Sequence, residues 1–283
     1  MHDCGASKFQ TLKHLESRLK EFKVPELISF SALFYDANPL SCIKKIAVLF
    51  GNRTVAIRSS ASGEDGPFSS SAGEYDSVLN VSPRDSKELA KAINLVISSY
   101  RKKRKILPED EVIVQEMVND TSMSGVVFTH DLNTGAPYYV INYDDQSGAT
   151  DIVTSGNGEH ANRVLYIYRN SINKLRSGRF KKLLSAIQEL EKILENRFLD
   201  IEFALDSNFT PYLFQVRIIT TQANWNRSIS NRIQSTLLGI EDFVLENFKR
   251  SIGVYGETTI FGQMPDWNPV EMIGRSPRAL SAS

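Results

Sequence analysis

Two stretches of this 283-residue chain carry residue types and spacings that could do chemistry. The first is Arg58-Ser59-Ser60-Ala61-Ser62-Gly63-Glu64-Asp65-Gly66-Pro67-Phe68-Ser69-Ser70-Ser71-Ala72-Gly73-Glu74-Tyr75, which follows a short apolar run. Small residues let backbone approach a ligand closely, and their amides and hydroxyls can surround phosphate oxygens. Arg58, where the strand ends, would add a planar cation suited to paired hydrogen bonds with phosphate. The same composition also describes an ordinary surface loop, and it is not a P-loop, because no G-K-[ST] follows. The second stretch is Leu199-Asp200-Ile201-Glu202-Phe203-Ala204-Leu205, a turn, and Tyr212-Leu213-Phe214-Gln215-Val216-Arg217. Period-two alternation in two adjacent strands would put Glu202, Gln215 and Arg217 on one face and bulky apolar residues on the other. A carboxylate and an amide oxygen suit magnesium, and arginine suits the phosphates that magnesium bridges. One solvated face of a hairpin would look the same.

Elements able to position these residues can be read around them. Ser7 can cap a helix whose apolar residues Phe9, Leu12, Leu15, Leu19 and Phe22 recur at helical spacing and stop near Pro25. A helix from Ser82, with Pro83 in its first turn, buries Leu89, Ala92, Ile93, Val96, Ile97 and Tyr100. Others run through Leu183 to Leu194 and Ile233 to Phe248. Between them lie β-rich runs at 54–58, 111–117, 125–129, 138–143, 163–168, 199–205 and 212–217. They cluster in hairpin-like pairs around turns such as Asp131-Leu132-Asn133-Thr134-Gly135, which favours α+β over a doubly wound parallel sheet.

Composition sets the bounds. Hydrophobic residues make up 41% and charged residues 23%, the balance of a folded globular protein. Lys plus Arg and Asp plus Glu each total 33, so no whole-molecule field favours nucleic acid or a membrane surface, and any anion site is local. The basic run Arg101 to Lys105 reads as a helix end. The two cysteines, Cys4 and Cys42, suggest neither a disulfide framework nor a zinc site. No apolar run approaches the roughly 20 residues of a transmembrane helix, and no signal-peptide core opens the chain. The expectation is a cytoplasmic protein.

The run RSSASGEDGPFSSSAGEYDSVLNV resembles the RSSATAED…SFAGQ…T signature of the N-terminal domain of phosphoenolpyruvate synthases, pyruvate phosphate dikinases and rifampin phosphotransferases. VIVQEMV and SGVVFTHDLNTG are similar to the family's VVVQ-x-MV and AGVLFT…TG strands, and DIEFAL and FQVRIIT to its DIEW-A and LQ-x-RPIT motifs. Gly5-Ala6-Ser7-Lys8 is similar to its opening G-G-K turn. The resemblance spans roughly residues 1 to 221 in the family's order. It implies an α+β ATP-grasp fold with ATP between two lobes, at residues 1–110 and 111–221, and a helical junction over 222–283 that begins a truncated substrate domain. It further implies that Lys8, Arg58 and Arg217 contact the phosphates of ATP, with Gly73 and Ser77 on the phosphate loop. Gln115 and the backbone around Met117 would border the adenine, and Glu202 and Gln215 would hold magnesium.

Three departures bear on function. Ile218 replaces the family's usual proline, and residues 143–151 replace its glycine-rich segment, so no contact is carried onto Asp144 or Asp145, which are expected in a turn. The phosphohistidine motif G-G-x-T-x-H is absent, and none of His2, His14, His130 and His160 has its context. The family's reaction moves the β-phosphoryl of ATP to that histidine, releasing AMP and phosphate, before onward transfer. The segment GQMPDWNPVEMIGRSPRALS resembles the junction in a capsule-associated branch that includes glutamine kinase-like enzymes. The expected partners are therefore ATP, a separate phosphohistidine carrier domain and a small-molecule acceptor such as the glutamine amide. The alternatives are a nucleotide-binding regulatory module without turnover and a kinase acting directly on a small molecule.

Overall fold

The computed structural model describes residues 7–61, 65–66, 69–70, 76–146, 163–219, 227–250, 252–253 and 255–256. Its strands are β1 (Leu27–Ser31), β2 (Val55–Ser60), β3 (Asp65–Gly66), β4 (Ser69–Ser70), β5 (Val78–Val81), β6 (Glu111–Glu116), β7 (Thr121–Phe128), β8 (Tyr138–Asp144), β9 (Arg163–Tyr168), β10 (Leu199–Asp206) and β11 (Pro211–Ile218). The helices are α1 (Lys8–Glu16), α2 (Ala32–Ala37), α3 (Pro39–Phe50), α4 (Ser86–Lys103), α5 (Gly178–Ile193) and α6 (Arg227–Asn247), with a 3₁₀ segment at Arg169–Lys174. The chain divides into one compact unit, Met1–Trp225, and a second, Asn226–Ser283, in which α6 is the described helix.

The class is α+β, as expected, and each large sheet of the first unit is antiparallel throughout. The first runs β1-β6-β2-β5 and the second β11-β10-β7-β8-β9. Alternation along β2 and β6 sends Val55, Ile57, Val112 and Val114 into a core closed by Ile43, Ile46 and Phe50 of α3 and by Leu89, Ile93, Val96 and Ile97 of α4. Along β10 it sends Leu199, Ile201, Phe203 and Leu205 into a second core with Leu183, Leu184, Ile187 and Leu190 of α5.

Two helix boundaries differ from the sequence reading for reasons visible in their hydrogen bonds. The Ser7 hydroxyl accepts from the Gln10 amide at 3.3 Å while the Gln10 side chain accepts from the Ser7 amide at 3.1 Å, a reciprocal cap that starts α1 as expected. The helix ends at Glu16 rather than near Pro25, because the Lys20 and Glu21 amides donate to the Glu189 carboxylate instead of continuing the helical ladder. Phe22 is buried from the turn that follows. The second long helix starts at Ser86, not Ser82: Asp85 accepts from the Lys87 and Glu88 amides at 2.9 and 3.0 Å, and these bonds hold its carboxyl below the usual carboxylate range.

The lobe division also moves. β6, which opens the second lobe in the sequence reading, is hydrogen-bonded between β1 and β2 in the first sheet. Helix α1, counted with the first lobe, buries Leu12 and Leu15 in the core of the second sheet. The chain therefore passes between sheets twice, after Lys23 and after Glu116. Lys23 is tied to β11, its amide donating to Pro211 and its carbonyl accepting from Leu213. The Glu116 amide donates to the Glu26 carbonyl, so the passages run side by side, and Arg53 binds the carboxylates of both Glu26, at 2.7 Å, and Glu116, at 2.8 Å.

Gly125 in β7 has a packing reason. A Cβ there would stand 2.0 Å from the Asn142 carbonyl oxygen and 2.8 Å from the Tyr143 Cα of β8, so the pair closes only over hydrogen. The basic run is absorbed by the fold: Arg101 reaches Asp36, and Arg104 grips the fully buried Asp110 through two 2.8 Å bonds.

Candidate functional site

The core face of each sheet is apolar; the opposite faces carry the polar residues named above. On β2 that face holds Arg58, and on β6 it holds Gln115, which pairs with Ala56 in register. On β10 it holds Asp200 and Glu202, paired with Arg217 and Gln215 of β11. Arg58 joins the two sheets. Its Nη2 lies 2.5 Å from a Glu202 oxygen, and its Nη1 donates to the Gln115 Oε1 and the Phe214 carbonyl, each at 3.4 Å.

A β-bulge makes the hairpin half of this arrangement. Glu202 pairs with Gln215 but the next residue, Phe203, pairs with Leu213, leaving Phe214 as the extra residue. In a regular strand Leu213, Gln215 and Arg217 would share one face. The bulge instead buries Leu213 in the second core and turns Gln215 and Arg217 to the polar side, while presenting the Phe214 carbonyl to Arg58.

Burial by itself would push the Glu202 carboxyl pKa up. The charge and hydrogen bond of Arg58, then the charges of Lys8 and Arg217, outweigh it and hold the group below the ordinary carboxylate value. Lys8, the first residue of α1, is thus part of the same electrostatic cluster, and the Arg217 Nη2 stands 3.9 Å from Glu202. Tyr100 fixes the end of β2 beside this cluster: its hydroxyl donates to the Glu111 carbonyl and accepts from the Ser60 amide.

The structure therefore brings together Lys8, Arg58, Gln115, Glu202, Gln215 and Arg217. Ser77 is exposed immediately before β5, and the Met117 amide donates to the Thr54 carbonyl at 2.9 Å. Gly73 lies outside the described residues. Asp144 is the buried last residue of β8, paired with Ser124, rather than a turn residue, its side chain accepting from the Gln146 amide; Asp145, in the bend that follows, pairs with Arg163 and Arg179. Sequence reasoning passed over two members of the site. Asp200 stands two residues before Glu202 on the same face, a spacing that period two could have flagged; the Phe214 carbonyl depends on a bulge that no residue type announces.

The reach of this cluster can be set beside known proteins. Residues 40–148 match the family described as pyruvate phosphate dikinase, AMP/ATP-binding domain. No curated protein matches the chain. Similar solved structures include D-alanyl-alanine synthetase A from Vibrio cholerae O1, at 14% identity and TM-score 0.43, covering 75% of this chain and 54% of that one. D-alanine-D-alanine ligase from Helicobacter pylori matches at 15% identity and TM-score 0.41, covering 76% and 51%. N5-carboxyaminoimidazole synthetase from Staphylococcus aureus matches at 14% and 0.41, covering 78% and 45%. The chain spans about half the length of these structures. The family match holds Arg58, Ser77 and Gln115, while Glu202, Gln215 and Arg217 lie outside it and are brought to it by the fold. Over residues 40–148 the chain is thus similar to the pyruvate phosphate dikinase AMP/ATP-binding domain.

Proposed function

We propose that this chain is the ATP-binding, ATP-grasp-type module of a dikinase-like phosphotransferase. The observation that carries the reading is the junction of Arg58 and Gln115, inside the family match, with Glu202, Gln215 and Arg217 of the hairpin outside it. Lys8, Arg58 and Arg217 bind the phosphates of ATP, with the backbone around Gly73 and Ser77 completing the phosphate loop and the segment through Met117 bordering the base.

Among the described residues no cluster of three or more His, Cys, Asp or Glu side chains could hold a metal. Glu202 and Gln215, opposite each other in register, offer two oxygens. That suits magnesium, which keeps waters and takes its remaining ligands from substrate phosphates. Bound there, it would neutralise charge on the transferring phosphoryl group. Arg58 and Arg217 stabilise the same developing charge from fixed positions.

The β-phosphoryl group passes to a histidine on a separate carrier domain with AMP as the leaving group, a water molecule takes the γ-phosphoryl as inorganic phosphate, and the phosphohistidine then passes its group to a small-molecule acceptor; the tail's resemblance nominates the glutamine amide. The described histidines are engaged elsewhere: His14 pairs with Arg18 on α1, and His130 stacks on Phe198 with its Nδ1 on the Arg197 carbonyl. Among the described residues no helix is long and apolar enough to cross a membrane.

Calorimetry with Mg-ATP tests the binding step. Affinity is expected to fall on the order of tenfold or more in Arg217→Ala and Glu202→Ala, in line with loss of a charged hydrogen bond; unchanged affinity in both would sink the assignment. Incubation with a carrier domain identifies the chemistry: AMP supports the dikinase reading, ADP indicates direct transfer to a small molecule, and no product indicates a holding module.

A further inference from the structure

Gln115 is the residue whose surroundings least fit the role its sequence position suggests. Its side chain is 2% exposed. The Oε1 accepts from Arg58 Nη1, yet the Nε2 is buried with no hydrogen-bond partner. Leaving a buried amide donor unsatisfied costs stability, which a fold tolerates when the group serves a ligand. The neighbourhood identifies the ligand chemistry. The guanidinium that Gln115 holds also touches Glu202, and Lys8 and Arg217 act on the same carboxylate. Three cations therefore stand against the carboxylates of Glu202 and Asp200, an excess of one positive charge. A donor beside such a cluster suits an anionic oxygen better than the neutral edge of a base.

We propose that Gln115 is a phosphate-end residue: its Oε1 positions Arg58, and its Nε2–H donates to an oxygen of the bound polyphosphate chain. The inference rests on the nucleotide-binding reading and assigns to this side chain a different end of the nucleotide. The backbone agrees with it. Gln115 is the fifth residue of β6 and shares its polar face with Arg58 of the neighbouring strand, whereas the chain turns toward the second sheet only after Glu116.

Three ligands separate the two ends of the site: ATP, GTP and inorganic tripolyphosphate, each titrated with magnesium into the full chain. In Gln115→Leu, tripolyphosphate affinity is expected to fall on the order of tenfold, the scale of one hydrogen bond to a charged group. ATP and GTP should fall by the same factor, leaving their ratio as in wild type. Thermal stability should hold or rise, because the apolar side chain removes a buried unsatisfied amide; a residue that only supported the fold would lose stability together with binding. Gln115→Glu keeps an acceptor for Arg58 but replaces the donor with an oxygen, so it should bind tripolyphosphate more weakly still, and it carries the test if the leucine variant does not fold. A Gln115→Leu protein that binds tripolyphosphate as wild type does while its ATP-to-GTP ratio shifts overturns the proposal and places Gln115 at the base. A wild-type chain that binds none of the three ligands overturns the nucleotide reading and this inference with it.

Discussion

Two buried Arg–Glu pairs in this molecule share their chemistry and differ in completeness. Arg169 and Glu191 meet through two bonds of 2.8 and 2.6 Å. The same guanidinium donates to the Thr129 carbonyl and lies 4.4 Å from the centre of the Tyr139 ring, whose hydroxyl reaches Glu191. Arg58 and Glu202 have one short contact and two contacts of 3.4 Å, with further cations nearby and an unsatisfied amide at their edge. A pair saturated from every side clamps a fold, and an incompletely satisfied one can exchange partners. Burial alone does not separate them: Glu191 is 7% exposed and Glu202 is 16% exposed.

The largest expected effect is on the saturated pair. Glu191→Ala leaves the Arg169 charge buried and should destabilise by about 3–5 kcal/mol, measured by denaturant unfolding, with ATP affinity unchanged in the folded fraction. Gly125→Ala, which forces β8 away from the strand linking both regions, should cost on the order of 3 kcal/mol. Arg58→Met should invert the pattern, with stability within about 1 kcal/mol of wild type and Mg-ATP affinity down at least roughly tenfold. Equal stability losses in Glu191→Ala and Arg58→Met would erase the distinction.

The smallest effect concerns His130, beside the saturated pair. Burial first, and then the Arg169 charge, depress its pKa from 6.5 to about 4. The unfolded chain therefore binds the proton more readily in that window, so the stability tied to a neutral His130 is complete above pH 6.5 and is lost as the pH falls toward about 4. His130→Phe, which keeps the stack on Phe198, should give a shallower acid limb in melting temperature over that range. An unchanged slope would show that His130 does not titrate there.

How much of this was legible in the sequence follows the range of the interactions. Period-two and helical spacing gave β9 at its observed limits and the buried stripe of α4, because each depends on neighbours along one element. The segment holding β1, α2 and α3 went unassigned: LISFS is five residues long, and α3 carries its apolar residues nearly all round, including exposed Leu40 and Val48. The end of α1 was misplaced because it is set by Glu189, far away in sequence. The site residues were legible as types, but their convergence was not. Leu213, Gln215 and Arg217 have the same parity, and only the bulge at Phe214 reconciles a buried leucine with a polar site. Asp85, unlike Ser82, could satisfy two amides with one oxygen, a geometric advantage invisible in the letters.

The side-by-side passages at Glu26 and Glu116 divide the site between the two sheets. Lys8 precedes both in the chain, yet α1 packs in the core of the second sheet, so Lys8 belongs to the half that carries Glu202 and Arg217, whereas Arg58 and Gln115 stand on the first sheet. Both covalent connections between the sheets cross at one place, with the Arg53 guanidinium bridging them. Each half of the site is thus carried by its own sheet, and only the polar seam between them holds all of its residues together.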